Sequence, residues 1–167
     1  MLLEIPSSLP NLPPAVVCTV GLSRDAQFVD QFARDSLAKF RQARFLDDGR
    51  RGVQSELAGQ QEHCARPDWD GYGAEPVTMD TYRNACRFVE ALPAGFPMPS
   101  VGVEADGHLT LEWYRNPSRV VSVSISPEGC LHYAALLGVS IRKSGTELFL
   151  GEVPADLLQL IRRVIVA

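Results

Sequence analysis

The stretch 109-LTLEWYRNPSRVVSVSISPEGCLHYAALL-137 decides the fold. Apolar and polar residues alternate along it, and the alternation is broken only by Asn116-Pro117-Ser118 and Pro127-Glu128-Gly129. Alternation with a period of two predicts strands that bury one face, and proline or glycine turns between them predict an antiparallel meander. The buried face is predicted to carry odd-numbered residues, and its members in this stretch are Leu109, Leu111, Trp113, Val121, Val123, Ile125, Leu131, Tyr133, Ala135 and Leu137.

Further strands are predicted on both sides of this stretch, so that the sheet spans residues 97–151. Val101 and Val103 precede it, and a last strand is predicted over residues 146–150 after a turn at residues 143–145. A two-residue loop in the first hairpin would set the apolar face of one strand against the polar face of the next. We therefore predict a three-residue loop with Gly107 in the left-handed conformation.

Three helices are predicted from three- and four-residue apolar spacing, over residues 24–46, 78–92 and 154–166. A polar connector is predicted over residues 47–77, because Gly49 and Gly52 are typical helix stops. Residues 1–23 are rich in proline and are predicted to form an N-terminal arm, and residues 24–167 a single domain. The predicted fold class is α+β: a five-stranded antiparallel meander with helices covering one face, a two-layer sandwich.

The composition is that of an ordinary globular chain: 167 residues, 46% hydrophobic, with a formal net charge of −4. Such a charge provides no overall field to attract nucleic acid or anionic lipid. There is no signal-peptide pattern and no run long enough for a membrane helix, so a cytoplasmic protein is expected. The sequence contains no recognisable nucleotide, cofactor or hydrolase motif, and no cofactor is expected.

The densest run of unusual residues is Trp69-Asp70-Gly71-Tyr72-Gly73-Ala74, which lies just before the second helix. This hexapeptide, the Leu92-Pro93 helix stop and the meander together resemble a family of small uncharacterised bacterial proteins that share a WDGYGA motif. The resemblance covers roughly residues 66–165. It implies a bacterial protein but no particular activity.

Two readings of this loop follow from its residue types. Asp68 and Asp70 are suited to accept hydrogen bonds from backbone amides of a tight turn, and as a metal site they lack the further carboxylates of a calcium loop. Trp69 is predicted to be mostly buried, with its indole N–H bonded to a backbone or carboxylate oxygen. Alternatively, Trp69 or Tyr72 contacts a partner, because both residue types are favoured at binding hot spots.

The polar face of the sheet carries the weak catalytic candidates Ser124, His132 and Glu112. The inferred register places Thr110 beside Ser124 and His132, and Glu112 beside Ser122 and Ala134. Ser124 lies in the middle of a strand, where no backbone amide is available to stabilise an oxyanion, so a solvated face is the simpler interpretation. Glu104 and His108 are expected to face each other across the first hairpin.

The first hypothesis is a non-catalytic protein-binding module, such as the regulatory, antitoxin-like or immunity-like member of a bacterial gene pair. Its binding residues would be Asp68, Trp69, Asp70, Tyr72, Glu112, Tyr114, Ser122 and His132. The alternatives are a small hydrolase or metal-assisted enzyme that combines Asp68 and Asp70 with a histidine, and nucleic-acid binding through arginines 34, 41, 44, 50 and 51. The predicted oligomeric state is a monomer or a weak homodimer.

Overall fold

The computed structural model describes the backbone of residues 24–165 and the side chains of residues 31–38 and 49–165. The chain divides into two units, Met1–Arg41 and Gln42–Ala167. The predicted boundary after residue 23 stays a prediction. The predicted proline-rich arm over residues 1–23 falls outside the described residues.

Helix α1 (Arg24–His63) is much longer than the predicted helix over residues 24–46. The first part of the predicted connector is thus wrong, because residues 47–63 are helical. A glycine inside a helix costs only about 1 kcal/mol relative to alanine. Val53 and Leu57 are buried in the core, and each buried aliphatic side chain contributes about 1.5–3 kcal/mol. Burial of this part of the helix therefore outweighs the two glycine stop signals.

The sheet contains five strands in the order β1-β2-β3-β4-β5, each antiparallel to its neighbours. The strands are β1 (Ser100–Val103), β2 (Leu109–Asn116), β3 (Arg119–Ile125), β4 (Cys130–Leu137) and β5 (Arg142–Leu148). The predicted meander is confirmed.

The register of the three central strands is also as predicted. Thr110 lies opposite Ser124, which lies opposite His132. In the next row Glu112 lies opposite Ser122, which lies opposite Ala134. The odd-numbered residues consequently form the core side of the sheet, and those that are buried on it are Leu109, Leu111, Trp113, Val121, Val123, Ile125, Leu131, Ala135 and Leu137.

The predicted turn at residues 143–145 is wrong, because β5 begins at Arg142 and the chain turns at residues 138–141 instead. Gly138 takes a φ of +98° there, which glycine adopts at no steric cost. Gly145 instead lies within β5, opposite Tyr133. A Cβ atom on Gly145 would lie 2.5 Å from the Tyr133 hydroxyl oxygen, so the tyrosine ring occupies the space above this glycine.

Helices α2 (Met79–Ala91) and α3 (Ala155–Ile165) pack against the sheet. Thr78 caps α2, because its hydroxyl oxygen accepts a hydrogen bond from the backbone N–H of Thr81 at 3.2 Å. Each helix buries one apolar stripe in the same core as the odd-numbered strand residues. The buried residues of the stripes are Thr81, Ala85, Phe88 and Val89 in α2, and Leu157, Leu160, Ile161 and Val164 in α3. The two-layer α+β arrangement follows.

The first hairpin has the predicted three-residue loop. The backbone N–H of Glu104 donates to the carbonyl oxygen of His108 at 3.0 Å, and Gly107 has a φ of +79°. A Cβ atom on Gly107 would lie 2.7 Å from the carbonyl oxygen of Pro76. Glycine is therefore required at this position both for its backbone conformation and for the close approach of the segment before α2.

Candidate functional site

The even-numbered side of the sheet, here called the open face, points away from the core. Among the described residues, its side chains over the middle strands are mostly polar and at least partly accessible, with only Ser124 and Ser126 buried. The members of the open face that matter below are Thr110, Glu112, Tyr114, Ser122, Ser124, His132, Ala134, Ser144 and Thr146. A sheet with one covered and one accessible face is common among antiparallel sheets, and here it separates folding residues from candidate site residues.

The predicted catalytic group of Ser124, His132 and Glu112 is not assembled. The hydroxyl oxygen of Ser124 is 3.2 Å from Nδ1 of His108, a histidine that the prediction did not assign to Ser124. His132 instead places its Nδ1 3.0 Å from the hydroxyl oxygen of Thr146 on β5. Glu112 stands opposite Ser122 in the neighbouring row.

His108 does not complete a nucleophilic relay with Ser124 either. Such a relay uses the two ring nitrogens separately, one facing the nucleophile and the other facing the carboxylate that orients the ring. Here the Asp106 carboxylate lies 3.3 Å from the same Nδ1 atom that faces Ser124. Ser124 is 8% exposed, and it is paired with strands on both sides. The arrangement therefore does not favour acyl-transfer chemistry.

Glu104, Asp106 and His108 form a group that we call the hairpin cluster. One carboxylate oxygen from each acid and one ring nitrogen of His108 all lie within 4.8 Å of one another. The hydroxyl of Thr110 donates a hydrogen bond to Oε1 of Glu104, and Oδ1 of Asp106 accepts from the backbone N–H of His108 at 3.1 Å. These bonds fix both carboxylates at the end of the open face.

The rings of His108 and His132 are parallel, with an interplanar angle of 1° and centroids 5.8 Å apart. A cavity of about 430 Å³ lies beside His132, and Glu104 of the hairpin cluster also lines it. Its other polar lining residues are Ser122, Ser124, Tyr133, Ser144 and Thr146. A cavity of this size with several polar groups can hold part of a ligand or a partner side chain.

Two titratable groups close to this region have shifted pKa values. The hydroxyl of Ser126 donates a hydrogen bond to Oε2 of Glu128 at 2.8 Å, which lowers the pKa of that carboxyl group. Burial, together with the nearby Glu147 carboxylate, raises the pKa of the Tyr133 hydroxyl. The tyrosine is consequently neutral at physiological pH and remains a hydrogen-bond donor to Glu147, at 3.4 Å.

The loop that contains the WDGYGA motif, residues 68–76, is held by its own aspartates as predicted. Oδ1 of Asp68 accepts from the backbone N–H of Gly73 at 2.7 Å. Oδ1 of Asp70 accepts from the amides of Tyr72 at 2.8 Å and Ala74 at 3.1 Å. Asp68 has a φ of +62°, a conformation that aspartate tolerates better than most residues. Both weak metal candidates thus serve the loop backbone.

The two aromatic residues of this loop occupy different environments. The indole N–H of Trp69 donates to the carbonyl oxygen of Glu75 at 3.0 Å, so the predicted backbone partner is confirmed. The ring is only half-buried against the core, whereas we predicted a mostly buried ring. Tyr72 is 95% exposed. The tryptophan therefore anchors the loop, and the tyrosine is presented to solvent.

The eight predicted binding residues fall into two groups. Asp68, Trp69, Asp70 and Tyr72 lie in the motif loop, and Glu112, Tyr114, Ser122 and His132 lie on the open face. The backbone N–H of Glu75 donates to the carbonyl oxygen of Ala105 at 2.8 Å, which ties the end of the motif loop to the first hairpin. The hairpin cluster therefore lies between the two groups along the chain.

Of the five arginines proposed for nucleic-acid binding, the structure describes the side chains of Arg34, Arg50 and Arg51. The side chains of Arg41 and Arg44 fall outside the described residues. Arg50 is half-buried, and its guanidinium donates to the carbonyl oxygen of Leu92 at the end of α2. Arg50 therefore helps to dock α1 on α2, a structural role that leaves less of its charge for a phosphate.

Sequence reasoning missed Glu104, Asp106 and His108 as a joint group. The available signal was the spacing of two between each residue and the next across a predicted three-residue loop, which brings alternate side chains to one side. Glu104 and His108 were predicted to face each other, and this pairing is confirmed by their backbone hydrogen bond. The contribution of Asp106, which sits in the turn itself, depends on the conformation of the loop.

Comparison of the chain with models of protein families, with curated proteins and with solved structures found no match. The resemblance to small bacterial proteins with a WDGYGA motif therefore stays a prediction. Within the described residues, no helix is both long and apolar enough to cross a membrane.

Proposed function

We propose that this chain is a non-catalytic, cytoplasmic protein-binding module that recognises another protein through its open face. The observation that carries the proposal is the contrast between the two sides of the sheet. The odd-numbered side is filled by α2 and α3, whereas the even-numbered side has a cavity of about 430 Å³ and accessible side chains. An accessible sheet surface of this kind is available for a partner without any rearrangement of the core.

The residue types on the open face support a protein partner. Tyr114 is 60% exposed, and half-buried Val120 and Leu136 lie in the same row. Tyrosine is enriched at binding hot spots because it supplies a large contact area with little loss of side-chain entropy. Polar side chains surround the cavity at the other end of the face. A partner would thus meet an apolar row and a polar pocket on one surface.

We further propose that the partner is encoded beside this chain, as expected for the regulatory, antitoxin-like or immunity-like member of a bacterial gene pair. The resemblance of Trp69-Asp70-Gly71-Tyr72-Gly73-Ala74 to a bacterial motif supports this origin. The hydrolase alternative has less support, because Asp68 and Asp70 accept hydrogen bonds from loop amides. The nucleic-acid alternative also has less support, because the guanidinium of Arg50 donates a hydrogen bond to the backbone of Leu92.

The test is co-purification of tagged chain from its native host, with the product of the neighbouring gene followed by mass spectrometry. Ala134 is exposed near the middle of the open face, and Gln159 is exposed on α3. We expect Ala134→Arg to abolish recovery of a stoichiometric partner and Gln159→Arg to leave it unchanged. Thermal melts of both variants serve as the folding control.

Two outcomes would contradict the proposal. One is the absence of any stoichiometric partner from the wild-type preparation. The other is equal recovery of the partner with Ala134→Arg and Gln159→Arg, which would place the contact away from the open face.

A further inference from the structure

We propose that Glu104, Asp106 and His108 bind a divalent transition-metal ion at the end of the open face. This inference does not depend on the proposed protein partner. It rests on the convergence of two carboxylates and one imidazole within 4.8 Å, on the bonds that hold them, and on the second imidazole beside them.

The donor atoms are close to the spacing that an ion requires. Zinc binds nitrogen and oxygen ligands tetrahedrally at about 2.0–2.2 Å, so two ligands of one ion are about 3.3–3.6 Å apart. The donor atoms of the hairpin cluster lie within 4.8 Å of one another, and rotation of the Glu104 and Asp106 side chains can supply the remaining contraction of at most about 1.5 Å. Asp106 is exposed, and Glu104 and His108 are half-buried, so an ion can reach all three.

The backbone that carries the three ligands is fixed from outside the cluster. Gly107 lies against the carbonyl of Pro76, and Ala105 accepts a hydrogen bond from the amide of Glu75. Residues 104–108 are thus held between the sheet and the segment that leads into α2. Because the loop is already closed in the unbound chain, binding of an ion does not have to order it.

The side chains also have the supporting contacts that orient metal ligands. Thr110 donates to one oxygen of Glu104, which leaves Oε2 for an ion. Such a bond fixes the orientation of a ligand and raises the affinity of a metal site. The Ser124 hydroxyl lies 3.2 Å from Nδ1 of His108, the nitrogen that also faces Asp106, so an ion bound at Nδ1 replaces this contact.

An ion bound by the hairpin cluster would keep coordination positions that no protein side chain fills. The ring of His132 is stacked parallel to that of His108, with the centroids 5.8 Å apart, and its Nδ1 already faces Thr146. The cavity beside it begins at Glu104. Three protein ligands next to an open cavity would leave at least one coordination position for water or for an oxygen of a bound partner.

The donor set selects the class of ion. Imidazole nitrogen favours zinc and other first-row transition metals, whereas magnesium and calcium prefer oxygen ligands alone. Magnesium also requires near-ideal octahedral geometry and loses its water reluctantly. We therefore expect Zn²⁺ to bind and Mg²⁺ to compete poorly.

The experiment is isothermal titration calorimetry of the full chain with Zn²⁺, with and without excess Mg²⁺. We expect one bound Zn²⁺ per chain, unaffected by Mg²⁺. The variants Glu104→Gln and Asp106→Asn keep an acceptor oxygen for their hydrogen bonds, and each is expected to weaken binding at least about tenfold, as is His108→Gln. His63 is exposed at the end of α1, so His63→Gln is the matched control and is expected to bind as the wild type does.

The cysteine thiols could also take up zinc, and NMR of the histidine ring nitrogens separates the two cases. We expect the ring nitrogens of His108 to shift on addition of Zn²⁺ while those of His63 do not. The proposal is overturned if no Zn²⁺ binds, if His108→Gln and Asp106→Asn bind as the wild type does, if Mg²⁺ displaces Zn²⁺, or if bound zinc leaves the His108 signals unchanged. Thermal melts without metal show that each variant is folded.

Discussion

The two sides of the same five strands differ in every property that affects function. On the odd-numbered side, Leu111, Val123 and Leu131 are completely buried between the sheet and the helices. On the even-numbered side, His132 is exposed although it follows Leu131 directly, and Thr146 opposite it is exposed as well. Because successive side chains of a strand point in opposite directions, one segment can supply both a core and a binding surface. Substitutions on the two sides should accordingly affect different measurements.

The largest expected effect comes from the same substitution made on each side of β4. Leu131 is completely buried, and Leu131→Ala is expected to lower the free energy of unfolding by about 2–5 kcal/mol. Leu136 lies on the open face and is half-buried. Leu136→Ala is expected to cost clearly less, about 1 kcal/mol or below. Urea denaturation of the two variants measures both values, and equal losses would contradict the assignment of the faces.

A second pair of substitutions tests the hairpin that carries the metal ligands. Gly71 and Gly107 both have left-handed backbones, so an alanine at either position costs about 1–2 kcal/mol. Of the two, only Gly107 also has a steric conflict, because a Cβ atom there would lie 2.7 Å from the carbonyl oxygen of Pro76. We expect Gly107→Ala to lose about 1–3 kcal/mol more than Gly71→Ala, because the close contact adds strain. A melt in which the two variants coincide would show that the hairpin is not clamped.

The motif loop allows a third comparison, between a half-buried and an exposed aromatic residue, with a smaller expected effect on stability. Trp69→Ala removes a half-buried ring and the hydrogen bond to Glu75, and we expect a loss of about 2 kcal/mol. Tyr72→Ala, at a residue that is 95% exposed, is expected to stay within about 0.5 kcal/mol of the wild type. If Trp69→Ala melts together with the wild type, the tryptophan does not anchor the loop.

Ser126 is an exception among the even-numbered residues, most of which are at least partly accessible, because it is buried. Its hydroxyl accepts from the amide of Cys130 at 3.2 Å and donates to Glu128. Ser126→Ala is expected to cost about 1 kcal/mol at neutral pH, because the Cys130 amide loses an acceptor. It is also expected to raise the pKa of Glu128 toward the ordinary carboxyl value.

The pH dependence of this contact has a definite sign. The folded-state pKa of Glu128 is lowered, so the contact stabilises the fold above the unfolded-state pKa and loses its effect as the pH falls through the folded-state pKa. An NMR titration of the Glu128 carboxyl carbon in the wild type and in Ser126→Ala measures the shift. An unchanged midpoint would mean that Ser126 does not donate to Glu128 in solution.

The sheet was predictable because alternation and turn residues are local signals. The register of Ser124 against His132 follows from parity alone once the turn lengths are set. The errors occur where tertiary contacts override local preference. Burial of Leu57 stabilises α1 beyond its two glycines. Gly145 lies in a strand instead of a turn, and the ring of Tyr133 fills the space that a side chain would need there.

The candidate site was only partly predictable for a related reason. The alternation of odd and even residues predicts which side chains share the open face. It does not predict which of two histidines approaches Ser124. That choice depends on side-chain rotamers and on the conformation of the turn at Asp106. The half-buried position of Trp69 likewise depends on the path of a loop that has no periodic pattern.

The most direct test of the central claim is an NMR measurement of how strongly a soluble paramagnetic agent broadens methyl signals on the two sides of the sheet. The account predicts strong broadening of the Ala134 and Thr146 methyl signals, which belong to exposed residues of the open face, and almost none for Leu111 and Leu131. Protection of Ala134 and Thr146 equal to that of Leu111 and Leu131 would contradict it, because the even-numbered side of the sheet would then be covered in solution.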